Sequence, residues 1–141
     1  MTLAPERPPV ARPAVTRPAA ELLTLADRGL TEAARATQPT ERYATAHLAA
    51  LRSAAAVLAC RAAPGERRGR PTSAWVLLAV VAPELGEWAS FFAQGARTRA
   101  AAEAGHDVVT PRQADDLLRD AQAFRQVAEQ TVLAGLSERQ A

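Results

Sequence analysis

Apolar side chains recur with the spacing of an α-helix from Glu21 to about Ala134, and this periodicity is the strongest constraint on the fold. No stretch shows the alternation of a β-strand, and the sequence has neither a glycine-rich phosphate loop nor a G-x-S-x-G motif. Alanine supplies most of the apolar residues, which allows neighbouring helices to approach closely. The pattern therefore predicts an all-α, up-and-down bundle of four to five helices.

Proline, glycine and capping residues divide this pattern into segments. Pro39 breaks it and Thr40 is a good N-cap, Pro83 ends or kinks a helix, and Gly105 is a natural stop. Thr110 and Gln113 match a capping box, with proline at the first helical position between them. The predicted helices span residues 21–36, 41–62, 83–104 and 110–134, and a further one before Pro83 is capped by Thr72 or Ser73.

The first 19 residues hold three Arg-Pro pairs, at Arg7, Arg12 and Arg17. Proline removes backbone donors and prevents helix continuation, so we expect residues 1–19 to be a disordered Pro/Arg-rich arm, partly in polyproline II conformation. The helical bundle is predicted to span residues 20–136, followed by a C-terminal tail at 137–141.

Charge is nearly balanced in the predicted bundle. The chain has 17 basic residues, all of them arginines, and 15 acidic residues. The N-terminal arm accounts for the net charge of +2. A globally basic nucleic-acid binder would look different. The strongest local cluster of basic residues lies in a loop between two prolines and consists of Arg67, Arg68 and Arg70. This cluster is a candidate nucleic-acid contact or a solvated hinge.

Cysteine and histidine are scarce. Cys60 is the only cysteine and has no disulfide partner, and we expect it to be a buried, unreactive thiol. The two histidines are far apart in the sequence, so no metal or cofactor is expected. We see neither a signal peptide nor a run of about 18 apolar residues, which indicates a cytoplasmic protein without membrane contact.

Each histidine follows an arginine at short range. Arg42 and His47 would lie about 140° apart on one helix, and His47 falls on the apolar stripe, so a hydrogen-bonded core histidine is expected there. Arg99 and His106 are better placed, because His106 follows the glycine stop in a turn. If this pair is catalytic, His106 would act as general base or acid on RNA, and Arg99 would neutralise the phosphorane. Arg97 competes for the role of Arg99. The alternative is that Arg99 and His106 are both solvated loop residues.

Three stretches together resemble an actinobacterial family of HEPN (higher eukaryote and prokaryote nucleotide-binding) domains. They are ERYATAHLAALR at residues 41–52, WVLL at 75–78 with VAPELGEWA at 81–89, and ADDLLRDA at 114–121. The resemblance covers about residues 22–129. It implies an all-α bundle, frequently dimeric, in a superfamily whose members bind or cut RNA, often in toxin–antitoxin or antiphage systems.

In this superfamily, an arginine followed by a histidine after four to six residues is the signature of metal-independent RNases, and Arg99 and His106 match it. Ala100 departs from the family, in which a polar residue often follows the arginine. Other branches keep the fold without the nuclease motif. We therefore predict a domain that binds RNA or nucleotides, or that docks a partner protein, and that need not be an enzyme. The alternative is a metal-independent endoribonuclease. Expected partners are a second copy of the chain, RNA or a nucleotide, and a partner protein.

Overall fold

The computed structural model describes residues 15–61 and 73–140, and these residues form helices joined by short connections. No strand occurs within those ranges, and the all-α bundle is confirmed. A short 3-10 turn, Pro83–Leu85, separates the third and fourth helices. The α-helices are α1 (Arg17–Arg35), α2 (Pro39–Arg61), α3 (Ala74–Val81), α4 (Gly86–Glu103) and α5 (Pro111–Gln140).

Helix α1 begins at Arg17, four residues before the sequence predicts. Thr16 is the N-cap, and its hydroxyl accepts a hydrogen bond from the Ala19 amide at 3.3 Å. Pro18 lies in the first turn, where a missing N–H removes no helical hydrogen bond. The arm expected over residues 1–19 thus includes three helical residues, and residues 1–14 lie outside the described part of the chain.

Three other helix limits also differ from the expectation. Helix α2 begins at Pro39, so Thr40 lies inside the helix and the prediction that it is the N-cap was wrong. Helix α4 begins at Gly86, after the 3-10 turn, and α5 continues through the expected tail to Gln140. The capping box predicted at the start of α5 is confirmed. Thr110 and Gln113 exchange two hydrogen bonds, at 2.9 and 3.1 Å, as in a capping box. Ser73 caps α3 by accepting from the Trp75 amide.

Helix α2 is the central helix, because it contacts each of the other four. Helix α1 is antiparallel to it, with Thr16 beside Cys60 and Gly29 beside Ala49. Helix α5 runs in the same direction as α2, since Arg42 pairs with Asp115 near the start of both. Helix α3 also runs in the same direction as α2, whereas α4 is antiparallel to α2.

The central position explains the composition of α2. By length and hydropathy this helix could cross a membrane, contrary to the expectation that no stretch is long and apolar enough. Half of its most apolar window is buried inside the bundle, where alanines pack against the other helices. An apolar core helix passes the same test of length and composition.

Aromatic rings fill the space between α2, α3, α4 and α5. Trp75 stacks on Phe92 with ring centroids 5.1 Å apart, and Phe124 contacts Trp75, Trp88 and Phe92. Phe92 is buried in the core, and the partly buried Trp88 packs against it. Phe91 is not part of the core, because it lies on the edge of α4 and is 43% exposed.

Candidate functional site

The contact between α2 and α4 contains a buried histidine. His47 has no exposed surface, and its Nε2 lies 2.8 Å from the Phe92 carbonyl oxygen. A carbonyl only accepts, so Nε2 carries the proton and Nδ1 presents a lone pair. Rings surround the imidazole: Tyr43 is stacked at 6.3 Å, and Trp75 and Phe92 present edges at 5.9 Å. The expected hydrogen-bonded core histidine is confirmed.

The environment keeps His47 neutral. Burial lowers the pKa of His47 because the charged imidazolium would lose its hydration, and the bond to Phe92 raises it in part. The positive charge of Arg99 lowers this pKa further, whereas the carboxylate of Glu103 raises it. Nδ1 is buried and has no hydrogen-bond partner among the described residues. His47 therefore lies within electrostatic range of the arginine assigned to the candidate pair.

Gly95 allows α4 to approach α2 this closely. A methyl group at Gly95 would lie 2.7 Å from the Tyr43 hydroxyl oxygen and 3.3 Å from Cδ2 of His47. The first distance is shorter than any normal contact between carbon and oxygen. Since Tyr43 is itself buried, its ring has little room to move.

Arg99 turns inward from α4. Its side chain is 23% exposed, and Nε lies 3.5 Å from a carboxylate oxygen of Glu103, one helical turn further on. This is an ion pair without hydrogen-bond geometry, and Nε and Nη1 are buried without an acceptor in the described part of the chain. Buried guanidinium donors without acceptors are costly, so this side chain is available to an acceptor that can reach it.

His106 lies in the turn after α4 and is exposed. Its amide donates to the Ala101 carbonyl at 3.0 Å, and the Gly105 amide donates to Ala102, which together form a Schellman motif. Gly105 has a φ of +87°, a conformation that favours glycine. No hydrogen bond joins the described side chains of His106 and Arg99. The Schellman motif fixes the backbone of this turn, but the side chains of His106 and Arg99 have different surroundings.

Arg42 closes one end of the bundle. Its guanidinium donates to the carbonyls of Ala33 and Ala36 at the end of α1, at 3.1 and 2.6 Å, and pairs with Asp115 of α5. Both carbonyls lie at the C-terminus of α1, where few helical donors reach them, although the Ala33 carbonyl also accepts from the Ala36 amide. Arg42 therefore joins three helices, and its contacts are separate from those of His47.

The family comparison agrees with this fold. The family model of SAV_6107-like HEPN domains matches residues 33–129. The chain belongs to this family. The match begins near the end of α1 and includes both His47 and His106. Neither the curated proteins nor the solved structures include a significant match to this chain.

The surface charges of this HEPN domain are largely paired. Arginines on α1, α4 and α5 form ion pairs with acidic residues three or four positions away, and Arg125 of α5 pairs with both Asp27 and Glu129. Within residues 15–61 and 73–136, no cluster of three side chains could hold a metal ion. The predicted contact at Arg67, Arg68 and Arg70 lies outside the described residues.

The proximity of Arg99 to His47 was missed by the sequence reasoning, although the sequence contains a signal for it. Phe92, Arg99 and Glu103 follow one another at spacings close to whole turns, so Arg99 continues the buried stripe of α4. The spacing along the chain that pairs Arg99 with His106 does not reflect this periodicity.

Proposed function

We propose that this HEPN domain is a cytoplasmic binding module that docks a partner without cleaving RNA. The observation that carries the proposal is the separation of the surroundings of Arg99 and His106. Arg99 pairs with Glu103 and its guanidinium is largely buried, whereas His106 is exposed in the turn beyond α4.

The proposed lack of catalysis follows from the chemistry that this pair would need. A general base must come within hydrogen-bonding reach of the ribose hydroxyl while the arginine contacts the same phosphate. In this domain Glu103 already neutralises part of the charge of Arg99, and a phosphate would have to compete with that carboxylate. His47, the other histidine, is buried and cannot meet a polynucleotide without separation of α2 from α4.

The surface favours a protein partner over RNA. Most described arginines are paired with carboxylates, which reduces the counterion release that drives RNA binding. Large apolar side chains are exposed on several helices, most strongly Val76 and Val80 of α3. RNA or nucleotide binding through Arg67, Arg68 and Arg70 stays a prediction.

The test is a cleavage assay with fluorescent single-stranded RNA and a tRNA pool in the presence of EDTA. Wild type is compared with His106→Ala and Arg99→Gln, with His47→Ala as a variant of the buried histidine. We expect intact RNA with every protein, while circular dichroism shows that each variant is folded. Cleavage by wild type that survives EDTA and is lost with His106→Ala or Arg99→Gln would refute the proposal.

The second candidate is a metal-independent endoribonuclease, favoured by the exposure of His106 and by the guanidinium donors of Arg99 that make no hydrogen bond. The His106 imidazole is exposed, and Nε and Nη1 of Arg99 lack hydrogen-bond acceptors among the described residues. A second copy of the chain would then supply another His106 and Arg99 to a shared groove. The same assay separates this candidate from the binding module.

A further inference from the structure

Helices α4 and α5 are joined by aromatic rings and not by closely packed backbones. The ring centroid of Phe124 lies 5.5 Å from that of Trp88 and 5.2 Å from that of Phe92, whereas α2 packs closely against both helices. A groove with these rings at its base therefore separates α4 from α5, and it is called the α4–α5 groove below. Trp88 is only partly buried, and Phe91, one turn further along α4, is 43% exposed.

One flank of α5 forms the opposite wall of the α4–α5 groove. Arg125 pairs with Asp27, so the flank that carries Arg125 faces α1. Asp120 and Val127 lie about 140–160° away from Arg125 around the helix, on the flank that faces α4. Val127 packs against the core and lines a cavity together with Glu84, which precedes α4.

The register of the two helices places Asp120 opposite Phe91. Helices α4 and α5 are antiparallel, and Phe124 of α5 contacts Trp88 of α4. Moving one turn back along α5, from Phe124 to Asp120, therefore corresponds to moving one turn forward along α4, from Trp88 to Phe91. A carboxylate and an exposed aromatic ring thus flank the same stretch of the groove.

Asp120 has no partner for its charge in the described part of the chain. Its side chain is partly buried and accepts no hydrogen bond there, while Arg112 and Arg119 of the same helix pair with Asp116 instead. Burial raises the pKa of Asp120, the carboxylate of Asp116 raises it further, and the charge of Arg119 lowers it. A carboxylate that has lost part of its hydration is stabilised by an opposite charge close to it.

We propose that the α4–α5 groove binds an arginine side chain that a partner protein presents. The inference rests on the proposed docking function and specifies the chemistry of the docked partner. A guanidinium can donate two parallel hydrogen bonds to the carboxylate of Asp120 and can stack on the exposed ring of Phe91. The methylene groups of the same side chain would cover apolar surface beside Trp88.

Other occupants fit these residues less well. A nucleic acid would bring its phosphates toward the carboxylates of Asp116 and Asp120, which repel them. An apolar side chain would remove water from Asp120 without supplying a charge or a hydrogen-bond donor. A lysine would supply the charge, but it has neither the paired donors nor the planar group that stacks on a ring.

The experiment is an NMR titration of the full chain with a capped glycine-arginine-glycine peptide. The matched ligand contains citrulline, which has nearly the same shape as arginine but no charge. We expect the arginine peptide to shift the signals of the Phe91 ring and of the Asp120 carboxyl carbon until they saturate, and to lower the pKa of Asp120. Its dissociation constant should be lower than that of the citrulline peptide by about 5-fold or more.

Three variants test the two walls of the groove, and circular dichroism confirms that each is folded. Asp120→Asn should raise the dissociation constant of the arginine peptide by about 5-fold or more, and Phe91→Leu should raise it by about 2- to 5-fold through loss of the ring. Glu129→Gln is the matched control, because it removes a charge from the flank of α5 that faces α1, where Glu129 pairs with Arg125. This control should leave the dissociation constant nearly unchanged.

The absence of saturable shifts with the arginine peptide would refute the inference, as would equal binding of the citrulline peptide. Binding that is insensitive to Asp120→Asn, or that is weakened equally by Asp120→Asn and Glu129→Gln, would also refute it. The RNA cleavage assay tests the proposed function separately. A chain that binds the arginine peptide and cleaves RNA would overturn only the lack of catalysis, and one that does neither would overturn only the arginine site.

Discussion

Replacing Gly95 by alanine should destabilise the protein, although the same change usually stabilises a helix. In a helix interior, alanine is favoured over glycine by about 1 kcal/mol. At Gly95 the new methyl would lie 2.7 Å from the Tyr43 hydroxyl and 3.3–3.4 Å from two atoms of the His47 ring. Overpacking of this kind costs about 1–3 kcal/mol. We therefore expect a net loss of about 1 kcal/mol in the free energy of unfolding, and about 2 kcal/mol if neither ring can move.

The assay is urea unfolding followed by circular dichroism, with Gly86→Ala as the matched control. Gly86 begins α4, and a methyl there would meet no atom within 4 Å, so this variant should be as stable as wild type or more stable. In a Tyr43→Phe background, the Gly95→Ala change should cost less, because the nearest clashing atom is gone. If Gly95→Ala and Gly86→Ala stabilise the protein equally, the close approach of α2 and α4 described above is wrong.

Three further predictions concern stability. Because burial lowers the pKa of native His47, the unfolded state binds more protons than the native state once the pH falls below about 6.5. The free energy of unfolding, measured in urea, should therefore decrease as the pH falls from that value to the pKa of native His47. A free energy of unfolding that does not change over this range would contradict a buried, neutral His47. Arg125→Met should lower the free energy of unfolding by about 1 kcal/mol, a modest loss because Asp27 is exposed and solvent screens the ion pair. A double-mutant cycle with Asp27→Asn should show that the two side chains stabilise each other. Thr110→Ala should lower stability by about 1 kcal/mol through loss of the capping box with Gln113, and an unchanged urea midpoint would refute that role.

The helices could be predicted from the sequence because their signals are local. The period of the apolar residues, the Thr110 capping box and the Gly105 stop depend on residues within one or two turns. The start of α1 was placed too late because Pro18 was taken as a break, although proline is accommodated in a first turn. The family resemblance is confirmed by the match over residues 33–129.

The candidate site could be predicted only in part, because its geometry depends on contacts between helices. Spacing in the sequence paired Arg99 with His106, but the charge of Arg99 acts on His47, 52 residues earlier in the chain. Phe91 and Phe92 are neighbours on the same apolar stripe, and only the packing of α4 decides that Phe92 is buried and Phe91 exposed. Local periodicity does not contain this information.

The central claim is that the charge of Arg99 acts on the buried His47. NMR titration of the His47 ring tests this claim most directly. Removing the charge in Arg99→Gln should raise the pKa of His47, because one of the effects that lowers it is lost while Glu103 remains. The control, Arg97→Gln, removes an exposed charge from the same helix and should leave the pKa of His47 nearly unchanged. An unchanged pKa of His47 in Arg99→Gln would show that Arg99 points elsewhere and would contradict the account.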